Sequence, residues 1–128
     1  MIKLLKIEKS DNKNKKYQAI FEIEKNDKKK LKIVSFGFNN PDDKNNDFTR
    51  HGDLERRNRY IIRHTKDLST NDPMRAGYLS MFILWNLPTL KSSVNDYNKR
   101  LKEYNKTGKF PIQDLIDESK QKVKNDDD

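Results

Sequence analysis

Five of the seven arginines in this 128-residue chain, Arg50, Arg56, Arg57, Arg59 and Arg63, fall in one short stretch, TRHGDLERRNRYIIRH. Elsewhere the positive charge is written as lysine, in a composition rich in residues whose codons are nearly all A and T. Clustered arginine therefore asks for a chemical reason. The guanidinium is a planar fork that gives two parallel hydrogen bonds to a phosphate and sheds water more readily than an ammonium. On a helix turning about 100° per residue, Arg56, Arg59, Arg63 and Lys66 share an arc of roughly 80° and a length of about 15 Å, enough for roughly two or three successive phosphates. Leu54 and Ile61 lie on the opposite side. The alternative is a solvated face paired with local acids, Glu55 to Arg59 and Asp53 to Arg57. No acid interrupts the stripe between Arg56 and Lys66, which favours a polyanion. The candidate contact residues are Arg50, Arg56, Arg57, Arg59, Arg63, His64 and Lys66. Arg57 and Tyr60 sit at the flank, where one of them is free to pack inward.

Other chemistries fit less well. His51 and His64 bracket the same stretch, and Asp47 or Asp53 would have to complete any metal site. A nuclease needs carboxylates around a divalent ion, and the nearest pattern, Asp42-Asp43 with Glu22-Ile23-Glu24-Lys25, stands in the wrong order for a restriction-type signature. There is no glycine-rich phosphate loop and no nucleophile–base pair. No catalytic residue, metal or cofactor is expected. Aromatic residues can stack on bases when exposed among lysines. Tyr17, Phe21, Phe36 and Phe38, near Lys16, Lys30 and Lys32, have that composition, but so small a sheet needs them for its core. Phe82 and Trp85 are assigned to packing for the same reason.

The totals agree with a charged partner. The formal net charge is +8, charged residues make up 38% of the chain and hydrophobic residues only 32%. Such a balance favours nucleic acid or another polyanion. Charge is uneven: residues 108–128 carry a net negative charge against a positive remainder. Cysteine is absent, so disulfides and thiol chemistry are excluded. Ile2–Ile7 is short and broken by Lys3 and Lys6, unlike a signal peptide. The block Tyr78–Leu87 is about half the length that spans a bilayer. A soluble, reducing compartment and no membrane partner are expected.

The elements that must hold the arginines follow from hydrophobic periodicity. Ile2–Ile7 reads as a strand, and Tyr17, Ala19, Phe21 and Ile23 alternate along a second. Leu31–Phe38 is a third whose phase shifts from Leu31 and Ile33 to Val34, Phe36 and Phe38, which predicts a bulge near Gly37. Asp11-Asn12 and Asn26-Asp27 supply turns. A polar loop, Asn39–Asp47, then separates a β part from an α part. One helix is predicted from about Asp53 to about Thr65. A second, buried one is capped by Asp72, carries Pro73 in its first turn and ends at Pro88. A third bears the stripe Leu90, Val94, Tyr97, Leu101 and Tyr104 and stops at Gly108. A last amphipathic segment gathers Ile112, Leu115, Ile116 and Val123 before the acidic tail Asp126-Asp127-Asp128. The fold class is α+β, a three-stranded antiparallel sheet followed by three to four helices. Residues 1–108 read as one domain and 109–128 as a C-terminal appendage.

Two stretches carry a resemblance. HGDLERRNRYIIRH and NDPMRAGYLSMFILWNLPTLKSSVNDYNKRL resemble a family of small basic uncharacterised proteins of giant viruses, the nucleocytoplasmic large DNA viruses. The likeness runs from about Tyr17 to Leu101. It is most specific at Glu55-Arg56-Arg57 with Arg63-His64, and at ILWNLPTL after Asp72-Pro73. It implies a viral protein located in the virion core, and in the host cytoplasm at the viral factory during infection. The combined expectation is a non-enzymatic protein that binds double-stranded DNA through its phosphates and organises or compacts a viral genome. Self-association as a homo-oligomer is compatible with that role. The alternative is a structural virion protein, of the core or internal capsid, that acts through protein–protein contacts.

Overall fold

A computed structural model describes residues 1–126, with side chains to Gln121. Three strands, β1 (Ile2–Lys9), β2 (Lys15–Lys25) and β3 (Lys28–Phe38), form an antiparallel sheet in the order β1-β2-β3. Helices follow: α1 (Phe48–His51), α2 (Leu54–His64), α3 (Ala76–Leu79), α4 (Leu90–Thr107) and α5 (Gln113–Asp126). The α+β order expected from the change in periodicity is the order found.

The central strand behaves as its alternation demands. Ala19 and Phe21 are fully buried, with Tyr17 and Ile23 partly covered on the same face. The β2–β3 hairpin closes through Asn26 and Asp27, both at positive φ (54° and 63°), the pair of left-handed residues that matches strand twist in a two-residue turn.

The expected bulge near Gly37 is corrected. Pairing of β2 with β3 runs without a shift from Lys15↔Phe38 to Lys25↔Lys28. The irregularity lies in β1, where Leu4 faces Phe21 and Lys6 faces Ile20. Leu5 is thus the extra residue. Its insertion lets Ile2, Leu4 and Ile7 share the core face although the last two are an odd number of residues apart. The phase change in β3 has another cause: Leu31 and Ile33 point to the open face of the sheet and stay 63% and 60% exposed. Phe38, expected in the core, is also exposed.

The apolar run Tyr78–Leu84 is the pillar of the core. Tyr78, Leu79, Met81, Phe82, Ile83 and Leu84 are all essentially inaccessible, as a segment apolar on every side requires. Its boundaries differ from expectation. Asp72 caps a turn at Met74 N (3.0 Å), and Arg75 is extended (ψ 147°), so α3 starts only at Ala76. A π-helical turn, Ser80–Leu84, continues it and ends before Trp85, ahead of Pro88.

The amphipathic α4 is capped by Thr89 (to Ser92 N, 3.1 Å) and stopped by Gly108 at φ 81°, whose N–H bonds Tyr104 O. Tyr97 and Leu101 of its stripe are buried. The division at residue 108 has no counterpart in packing: Phe110, Leu115 and Ile116 belong to the same buried cluster as the sheet and α3. Arg100 ties the two sides together, with Asp96, Asp114 and the Pro111 carbonyl as acceptors at 2.8–2.9 Å. Val123 and the acidic tail lie outside the described side chains. Among the described residues no helix is long and apolar enough to cross a membrane.

Gly37 joins the sheet to the pillar. It has φ +83°, and a Cβ there would stand 2.7 Å from Leu84 Cδ1. Left-handed backbone costs a non-glycine residue about 1–2 kcal/mol, and a forced core contact adds roughly 1–3 kcal/mol. Gly37→Ala is predicted to lower stability by about 2–5 kcal/mol. Gly52→Ala, at φ +65° with open space around it, should cost only the backbone share. Urea unfolding of both variants checks the order; equal midpoints would refute the close approach.

Candidate nucleic-acid interface

Helix α2 starts where the sequence puts it. Asp53 Oδ1 accepts from Glu55 N (3.1 Å) and Arg56 N (3.2 Å), satisfying two of the free amides of the first turn. The helix then buries Arg57, Asn58 and Ile61 and turns Arg56, Arg59 and Arg63 to solvent. Lys66 continues the exposed line from the 3-10 turn Thr65–Leu68. Arg59 is held by Glu55 one turn back. The side chains of Arg56, Arg63 and Lys66 have no acidic partner among the described residues. Arg50, on α1, is exposed with its guanidinium 3.4 Å from the Tyr17 hydroxyl.

Arg57 departs from the candidate set. Its side chain is only 3% exposed, so it cannot reach a phosphate outside. Nε donates to the Asn86 carbonyl (3.1 Å), and Nη1 donates to Asn58 Oδ1 (2.9 Å) and approaches Glu118 Oε1 (3.5 Å). The guanidinium also lies 5.9 Å from the centre of the Phe48 ring. Burial pulls its pKa down, opposed by the Glu118 carboxylate, but an arginine stays charged regardless. One arginine of the cluster is thus a bolt between α1, α2, α5 and the end of the pillar.

Beside the exposed stripe lies a cleft of about 340 Å³ between α2, the end of the sheet and the loop after β3. Arg56, Arg63, His64 and Lys16 bring basic groups to it. Asp47 on its wall is already engaged: Lys16 pairs with it while it caps α1 at Thr49 N (3.0 Å). The floor is aromatic. Tyr60 stacks on Trp85 with centroids 4.1 Å apart and planes 4° from parallel, and His64 lies tilted against the other ring neighbour, 4.2 Å from Tyr60. Burial pushes the Tyr60 phenol up to about 12, so it stays neutral. Exposed Phe38 forms part of the rim.

Both histidines have local roles. His64 Nδ1 lies 2.9 Å from Asp67 Oδ2. His51 Nδ1 accepts from Asp53 N (2.9 Å). Burial, with Arg56 adding repulsion, lowers the His51 pKa. The neutral ring then carries its proton on Nε2, a buried atom without a partner among the described residues. Among the described residues no three His, Asp or Glu side chains converge as a metal-binding group. A second, larger groove of about 730 Å³ runs between β1 and α4. It offers Lys3, Lys99, Lys102 and Lys106 but no arginine and no aromatic ring.

The stripe was visible in the sequence; the cleft was not. Trp85 and Phe38 read as packing residues, and Lys16 comes to Arg56 only through tertiary structure. The signal that was available is Phe38 itself: it lies one alternation past Phe36, beyond the end of the covered strand.

Arg57→Met is predicted to lower stability by roughly 2–6 kcal/mol, since two buried acceptors lose their donor at about 1–3 kcal/mol each. Arg56→Gln should stay within about 0.5 kcal/mol of the parent. Denaturant midpoints at unchanged slope measure the difference; equal effects would place both arginines outside.

Residues 5–64, from β1 through α2, match the model of a family of unknown function (DUF5754). No curated protein and no solved structure matches the chain.

Proposed function

We propose that this protein is a non-enzymatic DNA-binding protein that grips duplex phosphates with little regard to sequence. The observation that carries the reading is the exposure of Arg56 and Arg63 on the face of α2 opposite its buried side, with Lys66 in the turn that follows, none of them ion-paired among the described residues. With Arg59 they form a line about 15 Å long, matched to successive phosphates on one strand. Arg50 extends the basic surface. The net charge of +8 supplies long-range attraction. The resemblance to giant-virus proteins makes organisation or compaction of a viral genome, in the virion core, the role proposed for this binding.

One observation favours the alternative of a structural virion protein. Leu31 and Ile33 leave apolar surface on the open face of the sheet, where a protein partner would cover it. Duplex binding separates the two readings.

With about four phosphates neutralised, the affinity for unrelated duplexes should fall with salt at a log–log slope of roughly −4. A slope near zero, or no binding at low salt, would leave the structural reading ahead. Replacing Arg56, Arg59 and Arg63 together by glutamine should abolish most of the affinity and leave the unfolding midpoint near the parent's. The matching triple lysine variant keeps the net charge. It should bind measurably more weakly than the parent if the planar fork matters, and equally well if charge alone does.

A further inference from the structure

The cleft beside the stripe is too small for a duplex and too aromatic for a phosphate alone. At about 340 Å³ it lies near the lower end of small-ligand pockets, roughly 300–1,000 Å³. Its floor is the Tyr60–Trp85 stack and its rim carries the exposed ring of Phe38. Arg56 and Arg63 stand on one edge with no ion-pair partner among the described residues, and of the two carboxylates in the lining Asp47 is paired with Lys16 while Asp43 lies on the loop side. Lys16 has spent its charge on Asp47. On the loop side, Asn46 Nδ2 donates to the Phe38 carbonyl (3.2 Å), and Asn46 Oδ1 is buried without a donor among the described residues. Buried polar atoms are nearly always paired in folded proteins, so Asn46, on the loop side of this cleft, keeps an acceptor that no donor among the described residues uses.

We infer that the cleft receives one unpaired nucleotide of a nucleic-acid strand, with the base on the Phe38 side of the aromatic floor and its phosphate between Arg56 and Arg63. Aromatic rings take any base by its π face, and paired arginines take the phosphate by geometry. The inference rests on the DNA-binding reading and deepens it, because Arg56 and Arg63 serve both the outer stripe and the cleft. It makes the protein selective for strands with unpaired bases over closed duplex.

Trp85 is the single tryptophan of the chain, so its emission reports on the cleft alone. The test titrates the full chain with an oligothymidylate of about eight nucleotides and with a hairpin-closed duplex carrying as many phosphates. Anisotropy of an end-labelled strand gives affinity, and Trp85 emission gives occupancy. The single strand should quench Trp85 and bind about tenfold more tightly than the duplex at equal salt, the range of one base–aromatic stack. Phe38→Ala should remove most of that preference without changing duplex affinity or the unfolding midpoint. Phe38→Tyr, which keeps the ring, should restore it. Equal affinity for both probes with unchanged Trp85 emission would overturn the cleft assignment and leave duplex binding standing. So would a Phe38→Ala loss that is the same for both. Failure to bind either probe would remove both readings.

Discussion

The arrangement depends on one buried guanidinium. Helix α2 has charged or polar residues on most of its circumference, so hydrophobic burial alone fixes its rotation weakly: Ile61 is its one fully buried apolar side chain. Arg57 supplies the missing constraint. Its fork reaches the Asn86 carbonyl and Asn58 and meets Glu118 of α5. Those directional bonds exist at one rotation of the helix. With Arg57 inside, Arg56, Arg59 and Arg63 must face out. A buried charge is weak evidence for stability as such; here its use is to set orientation.

The same constraint reaches the cleft. Asn86 is buried just past Trp85 and bonds Asp96 of α4 through its side chain (2.6 Å) while its carbonyl serves Arg57. Trp85 is thereby held at the end of the pillar, where Tyr60 of α2 can stack on it. One polar hub places the outer cations and the aromatic floor in register. A second, partly buried guanidinium, Arg100, does for α4 and α5 what Arg57 does for α2.

Much of the fold was legible because it follows from periodicity. The alternation along Tyr17, Ala19, Phe21 and Ile23, the stripe on α4, and the caps Asp53 and Gly108 all act locally. What was not legible depends on distant partners. The odd spacing of Leu4 and Ile7 signals a bulge only once β1 is paired with β2. Leu31 and Ile33 look like core residues until the sheet proves to be covered on one face. The split of Arg56 from Arg57 is completed by Asn86 and Glu118, far along the chain, although Arg57 stands four residues before Ile61 and so on the same helical face. The cleft is a product of five segments, β2, the end of β3, the loop after it, α2 and the end of the pillar. None of them announces it alone.

The central claim is that adjacent arginines have opposite duties, Arg57 inside the fold and Arg56 and Arg63 on nucleic acid. The most direct measurement follows the arginine side-chain Nε–Hε resonances by NMR during titration with a short duplex. The account predicts that Arg56 and Arg63 shift and broaden as DNA is added, while Arg57, slow to exchange with solvent before and after, stays where it is. A titration in which Arg57 moves with its neighbours, or in which DNA binds and Arg56 and Arg63 remain still, would contradict it.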